Sequence, residues 1–301
     1  MAARRWRAPA PVDLRATLGP LRRGTGDPVH RVGADGRFWL AAHTPGGAGT
    51  LALSVAGREI TGEAWGDGAP WLLDRVPALC GAGDDWSGLD VGAYPVLAGV
   101  RRGNPGLRLT SSGLVLDALV PAVLEQKVTG TEARASYRAL VRRFGAAAPG
   151  PDATLRLPPT PRALLDVPTW EWHRLGVDLK RQRTIRAAAT VAGRLEECVT
   201  MPVAAAAARL RSVPGIGPWT VAETLQRAVG ARDLVSVGDY HLPNMVVHLL
   251  TGRARGTDEQ MLELLAPWAG QRQRVMRLVE AAGVAAPRYG PRFAYPDIRR
   301  L

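Results

Sequence analysis

Leu210-Arg-Ser-Val-Pro-Gly-Ile-Gly-Pro-Trp-Thr-Val-Ala-Glu-Thr224 is the stretch that decides the architecture around it. The apolar spacing before Pro214 predicts a helix, Gly215 and Gly217 allow a tight turn, and Pro218 suits the first position of a second helix. Such a turn leaves main-chain N–H groups pointing outward. The helix that follows adds its unsatisfied N-terminal donors and the positive end of its dipole. Together they make a site for one phosphate group, built almost wholly from backbone: Pro214, Gly215, Ile216 and Gly217, with the Thr220 hydroxyl as an added donor. Twenty residues beyond Trp219, the segment Gly238-Asp-Tyr-His241 places a single acid, Asp239.

A phosphate clamp that reads no bases, with an acid nearby, suits an enzyme acting on one nucleotide inside DNA. Pro214-Gly-Ile-Gly-Pro-Trp-Thr-Val-Ala222 and Val237-Gly-Asp-Tyr-His241 resemble the helix-hairpin-helix DNA glycosylases, especially the 3-methyladenine DNA glycosylase II branch. Val123-Leu-Glu-Gln-Lys-Val-Thr129 is similar to a further helix of that superfamily. The resemblance covers roughly residues 88–283 and is looser before them.

The resemblance implies that Asp239 is the catalytic carboxylate. Loss of a base leaves positive charge on the sugar, and one ionised carboxylate stabilises that charge or directs water at it. The target must first leave the base stack, which costs a few kcal/mol and requires a grip on the backbone and a filler for the gap. Gln126 and Lys127 lie where relatives insert a side chain or contact DNA, and His241 is expected to be structural. Trp219 stands where lyase-active relatives carry a nucleophilic amine, so a Schiff-base step is not expected. Trp219, Glu223 and Tyr240 are the expected base pocket, with the indole face attracting a cationic alkylated purine. The alkylation branch has aromatics where this chain has Glu223, Glu280 and Ala281, so the pocket is expected to be less aromatic and more acidic. No cofactor and no metal held by side chains are expected. A monovalent ion at the hairpin carbonyls of Val213 and Ile216 is the one ion considered.

The formal charge of +12 and the isoelectric point near 10.9 favour a polyanionic partner. A base composition that favours Arg, Ala, Gly and Pro explains part of that charge, since Lys127 and Lys180 are the only lysines. Arg134, Arg138, Arg142 and Arg143 follow helical spacing and either extend a backbone contact or form a solvated face, and Arg272 and Arg274 carry the same two readings. Cys80 and Cys198 are too few for a disulfide scaffold, a zinc site or the four-cysteine cluster of some relatives. No apolar run is long enough to span a membrane, and the basic start Met1-Ala-Ala-Arg-Arg-Trp-Arg7 lacks a following apolar stretch. The expected setting is the cytoplasm, at the nucleoid, as a monomer on damaged duplex DNA.

The fold class expected is α+β. Residues 1–87 read as a small mixed α/β domain, and residues 88–301 as a helical glycosylase domain with a basic tail. Strand composition marks 37–43, 50–55 and 58–65, with the Gly-rich turn Pro45-Gly-Gly-Ala-Gly49 between the first two, and a helix follows over 70–79. Helices are expected over 94–101 and 114–128, and then from a cap at Gly130-Thr131 to Phe144. Further helices are expected over 178–197, from Pro202, from Thr257 to 267, and up to about 282, with 146–161 as a connector.

The leading expectation is a monofunctional glycosylase releasing alkylated purines. The alternatives are a glycosylase for deaminated or oxidised bases and a non-catalytic DNA-binding protein.

Overall fold

The computed structural model describes residues 1–284. The basic tail expected over 287–301 therefore lies outside the described residues. An N-terminal five-stranded antiparallel sheet precedes a succession of helices. The strands are β1 (Ala2–Arg7), β2 (His30–Val32), β3 (Phe38–Thr44), β4 (Gly47–Ala56) and β5 (Glu59–Trp65), in the order β1-β5-β4-β3-β2. The helix α1 (Leu14–Leu18) lies between β1 and β2, and α2 (Ala69–Leu79) follows β5.

Alternation in β5 turns Ile60, Gly62 and Ala64 inward, where α2 covers the sheet. Leu40, Leu51, Leu53, Ile60, Leu72 and Val76 share one buried cluster there. Each buried aliphatic side chain contributes about 1.5–3 kcal/mol, so this small core is enough to fix the sheet on its helix. Gly62 is needed for that approach, since a Cβ would lie 3.1 Å from Val76 Cγ2.

The central helices are α3 (Pro95–Gly103), α4 (Val115–Leu124), α5 (Gly130–Phe144), α6 (Pro161–Asp166), α7 (Thr169–Arg174), α8 (Leu179–Thr190) and α9 (Ala192–Glu196). They are followed by α10 (Val203–Arg211), α11 (Pro218–Ala228), α12 (Leu242–Thr251), α13 (Asp258–Leu265) and α14 (Arg272–Ala281). A helix that is apolar nearly all round must be buried, and α4, whose one charged residue is Asp117, is: it packs against α5, α8 and α11. Its first N–H groups, on Val115 and Leu116, donate to the Glu196 carboxylate at 2.8 Å each, so an acid distant in sequence caps it. A second helical cluster gathers Leu97, Val246, Met261, Leu265 and Val275.

Several boundaries differ from the sequence reading. The cap of α5 is Thr129, whose hydroxyl accepts from Glu132 N–H while the Glu132 carboxylate accepts from Thr129 N–H. The helix expected to reach Val128 stops at Leu124, and Lys127 takes a left-handed φ of 55°. The span 178–197 holds two helices, broken at Val191. The sequence reading has no counterpart for strands β1 and β2 or for helices α1, α6, α7 and α12. Among the described residues no helix is long and apolar enough to cross a membrane.

Candidate active site

Helices α10 and α11 enclose the expected turn. Ile216 N–H donates to the Val213 carbonyl at 3.2 Å, closing it, so one of the two carbonyls considered for an ion already serves the turn. Gly215 has φ +90°, and a Cβ there would lie 2.0 Å from Thr184 Oγ1 on α8. Only glycine fits both the left-handed backbone and that approach. Gly217 caps α11 with no side chain to satisfy its first turn, which leaves the N–H groups of Trp219 and Thr220 without intrahelical partners. Pro214, Gly215 and Pro218 are exposed and Ile216 is buried, so the turn presents main chain to solvent on an apolar foot.

Gln126, just past the end of α4, braces this turn. Its amide donates to the Gly215 carbonyl at 3.0 Å and to the Thr220 hydroxyl at 2.8 Å. One expectation changes as a result. Thr220 is buried with its hydroxyl turned toward Gln126, so it does not face a phosphate. The Gln126 amide thus braces the hairpin, a contact the sequence reading did not include. Lys127, exposed on its left-handed backbone, is the side chain of this segment that projects.

Trp219 and Asp239 come together as the spacing predicts. The indole N–H donates to Asp239 Oδ2 at 3.1 Å. Oδ1 accepts from His241 N–H at 2.7 Å and from Leu242 N–H at 3.0 Å, the first turn of α12. From two residues upstream of the His241 N-cap, Asp239 thus satisfies the first two N–H groups of α12. A carboxylate offers about four lone-pair sites, so these three bonds leave one for a reacting group. Gly238, with φ +88°, turns the chain into this loop, and its N–H donates to Asp258 at 2.9 Å.

The neighbours of Asp239 differ from expectation. Tyr240 is 80 % exposed and meets His241 edge-on, with ring centroids 5.0 Å apart, so it lines no enclosed pocket. The His241 imidazole is also exposed, and the structural contribution of this residue is its main-chain N–H.

Glu223, one turn after Trp219 on α11, is buried and engaged. It pairs with Arg227 at 2.8 Å and accepts from the Ser236 hydroxyl at 2.6 Å. Burial pushes its carboxyl upward, but Arg227 and Ser236 outweigh this and hold it below the usual carboxylate range. It faces a cavity of ≈ 390 Å³ whose lining includes neither Trp219 nor Asp239. Glu280 lies on the same cavity and pairs with Arg277.

The helical arginines divide. Arg143 pairs with Glu171 at 2.7 Å and Arg138 reaches the Thr25 carbonyl, while Arg142 is exposed. Arg272 pairs with Asp233, and Arg274 makes a buried pair with Asp84, both at 2.6 Å. Those two serve the fold. Cys80 and Cys198 are buried and free, and burial pushes the Cys80 thiol up to about 12. No group of acids, histidines or cysteines suited to a metal ion occurs among the described residues.

No family model and no curated protein matches the sequence. Solved structures do match. A 3-methyladenine DNA-glycosylase from Archaeoglobus fulgidus aligns over 93% of this chain and 98% of its own, at 19% identity and a TM-score of 0.73. The chain has a DNA-glycosylase fold. An 8-oxoguanine glycosylase/lyase from Clostridium acetobutylicum, solved with duplex DNA, matches this fold over 90% of the present chain and 91% of its own, at 9% identity and a TM-score of 0.70. A 3-methyladenine DNA glycosylase from Schizosaccharomyces pombe, solved with abasic DNA, shares it over 67% of this chain and 97% of its own, at 19% identity and a TM-score of 0.54. The glycosylase fold therefore accounts for the sheet-bearing N-terminal part as well as the helices. Similarity at these identities spans enzymes acting on different lesions, so the choice of base must be argued from this chain's own residues.

Proposed function

We propose that the protein is a monofunctional DNA glycosylase that hydrolyses the N-glycosidic bond of a damaged purine in duplex DNA. The observation that carries this reading is the Trp219–Asp239 hydrogen bond, which brings the carboxylate beside the first turn of α11, the helix whose N terminus we read as the backbone-phosphate site. The hairpin 214–217 grips the strand, Lys127 fills or flanks the vacated space, and Asp239 stabilises the charge that develops on the sugar as the base departs. The fold shared with glycosylases supports it. Neither lysine lies on the hairpin, and Trp219 occupies the position of a nucleophilic amine, which supports base release without strand cleavage.

The reading is tested by incubating the protein with duplexes that each carry one damaged purine, followed by chromatography of freed bases. Base release with the strand intact until alkali treatment is the expected result. Full activity in Asp239→Asn would reject the role given to that residue, and strand cleavage without alkali would reject the monofunctional assignment. Binding with no release from any lesion would leave the non-catalytic reading.

Two lesion classes have specific support. The half-buried Trp219 ring, through its π face, suits an alkylated purine. The paired charges around Glu223 and Glu280 favour an oxidised or deaminated one.

A further inference from the structure

The cavity beside Glu223 is walled by segments far apart in sequence: α1 and the turn after it, residues 108–110, α11 and α14. Its volume, ≈ 390 Å³, lies in the range that holds small organic ligands. Glu223, on its wall, follows Trp219 by four residues on α11, about 6 Å along the helix axis. A base attached to a sugar at Asp239 spans that distance.

The charges in this cavity are unequally matched. Glu223 is neutralised by Arg227, whose Nε also donates to the Pro20 carbonyl at 2.8 Å. Glu280 is neutralised by Arg277, which reaches the Ala16 carbonyl at 2.8 Å. Arg15 and Arg108 also line the space, and no carboxylate pairs with either among the described residues. A cationic base entering here meets an excess of guanidinium groups and no carboxylate free to receive it. Gln273 adds a second, independent feature. It is only 6 % exposed and lines the cavity, its side-chain amide bonds to no described residue, and the amide atoms are not sealed from the cavity's solvent. An amide that meets only solvent in a cavity is available to a ligand that matches its donor and acceptor. That amide sets a donor beside an acceptor, the complement of a ring N–H next to a carbonyl.

We infer that this cavity receives an uncharged oxopurine, a purine whose damage leaves a ring N–H beside a carbonyl, and discriminates against cationic N-alkylated purines. Gln273 reads the N–H and carbonyl edge, the guanidinium groups of Arg227 and Arg277 offer donors to carbonyl oxygens, and Arg15 at the exposed rim repels a cation. The inference rests on the glycosylase reading, because it takes the cavity as the receptacle of an everted base.

The experiment separates the two. Full-length protein is titrated at fixed salt with duplexes identical except for one 2′-fluoro nucleotide, which keeps its base: hypoxanthine, 8-oxoguanine, 7-methylguanine or undamaged adenine. The oxopurine duplexes are expected to bind about tenfold tighter than the 7-methylguanine duplex, whose base keeps the N–H and carbonyl edge but is cationic, and about tenfold tighter than the adenine duplex, which lacks that edge; Gln273→Leu is expected to erase most of the second ratio. Arg15→Glu, at an exposed position with no part in the core, is expected to shift the first ratio several-fold toward 7-methylguanine even if Gln273→Leu fails to fold. Equal or tighter binding of 7-methylguanine by the wild-type protein, or ratios unmoved by Arg15→Glu, would overturn the inference. Base release from the corresponding deoxynucleotides is measured separately. Selective binding without release would sink hydrolysis and leave the pocket assignment standing.

Discussion

The indole N–H of Trp219 and Oδ2 of Asp239 are 3.1 Å apart, so a residue on the hairpin's second helix holds the acid at the start of α12. Hydrogen bonds to charged groups are worth about 1.5–3 kcal/mol. Trp219→Phe keeps an aromatic ring but loses this donor, and base release is expected to slow roughly ten- to hundredfold while duplex affinity changes little. Asp239→Asn should slow release more, by about a hundredfold or beyond, because the developing positive charge loses its counter-charge. Single-turnover rates on a releasable lesion, beside equilibrium binding, check both.

Gly215→Ala tests the grip. A methyl group at this position meets Thr184 Oγ1 and must adopt φ +90°, which costs about 1–3 kcal/mol in strain. Weaker binding to abasic-site duplex with a lowered Tm is expected. Gly215→Ala combined with Thr184→Ala relieves the clash but not the backbone strain, so it should recover only part of the loss.

Gln126 and Lys127 are neighbours with opposite predicted effects. Gln126→Ala leaves the Thr220 hydroxyl without its donor and frees the hairpin, so it is expected to cost about 1–3 kcal/mol of stability. Lys127→Ala should leave the Tm unchanged. If its amine meets a phosphate, the slope of log affinity against log salt falls by about 1. Denaturant titrations and binding at several salt concentrations separate the two.

Stability should depend on pH through α4. Burial, with Glu196 nearby, pushes the Asp117 carboxyl up to about 8 from an ordinary value of 3.8, and burial also raises Glu196 itself against the N–H groups of Leu116 and Val115. Asp117 binds its proton more tightly folded than unfolded. Its contribution is therefore fully present below about pH 4 and is lost as pH rises to about 8. Asp117→Asn should flatten this part of the profile and stabilise the protein above pH 8, on the order of 1–3 kcal/mol. Urea unfolding at pH 5 and pH 9 tests it, and equal destabilisation of the variant at both values would refute it.

The hairpin and the position of Asp239 were legible because each depends on local chemistry: glycine backbone freedom, a proline at a helix start, and a fixed run of intervening residues. The hairpin strands β3 and β4 were legible for the same reason, through composition and turn residues. β1 was not, because Ala-Ala-Arg-Arg-Trp-Arg is an edge strand with mostly exposed side chains and no apolar alternation. The contact of Gln126 with Thr220 was also hidden, since the chain's arrival at Gly215 from α4 is a tertiary fact. Glu223 was singled out, and its pairing with Arg227 one turn on follows helical spacing. Its enclosure by α1 and α14 could not be read from either segment alone.

The acid at the head of α12 and the cavity beside α11 are supported by different stretches of polypeptide. Asp239 depends on its own loop and on Trp219, whereas Arg15 and Gln273 come from opposite ends of the chain. Over evolutionary divergence, a lineage could retune which nucleobase is admitted by altering the first or last described helix and leave the bond-breaking apparatus untouched.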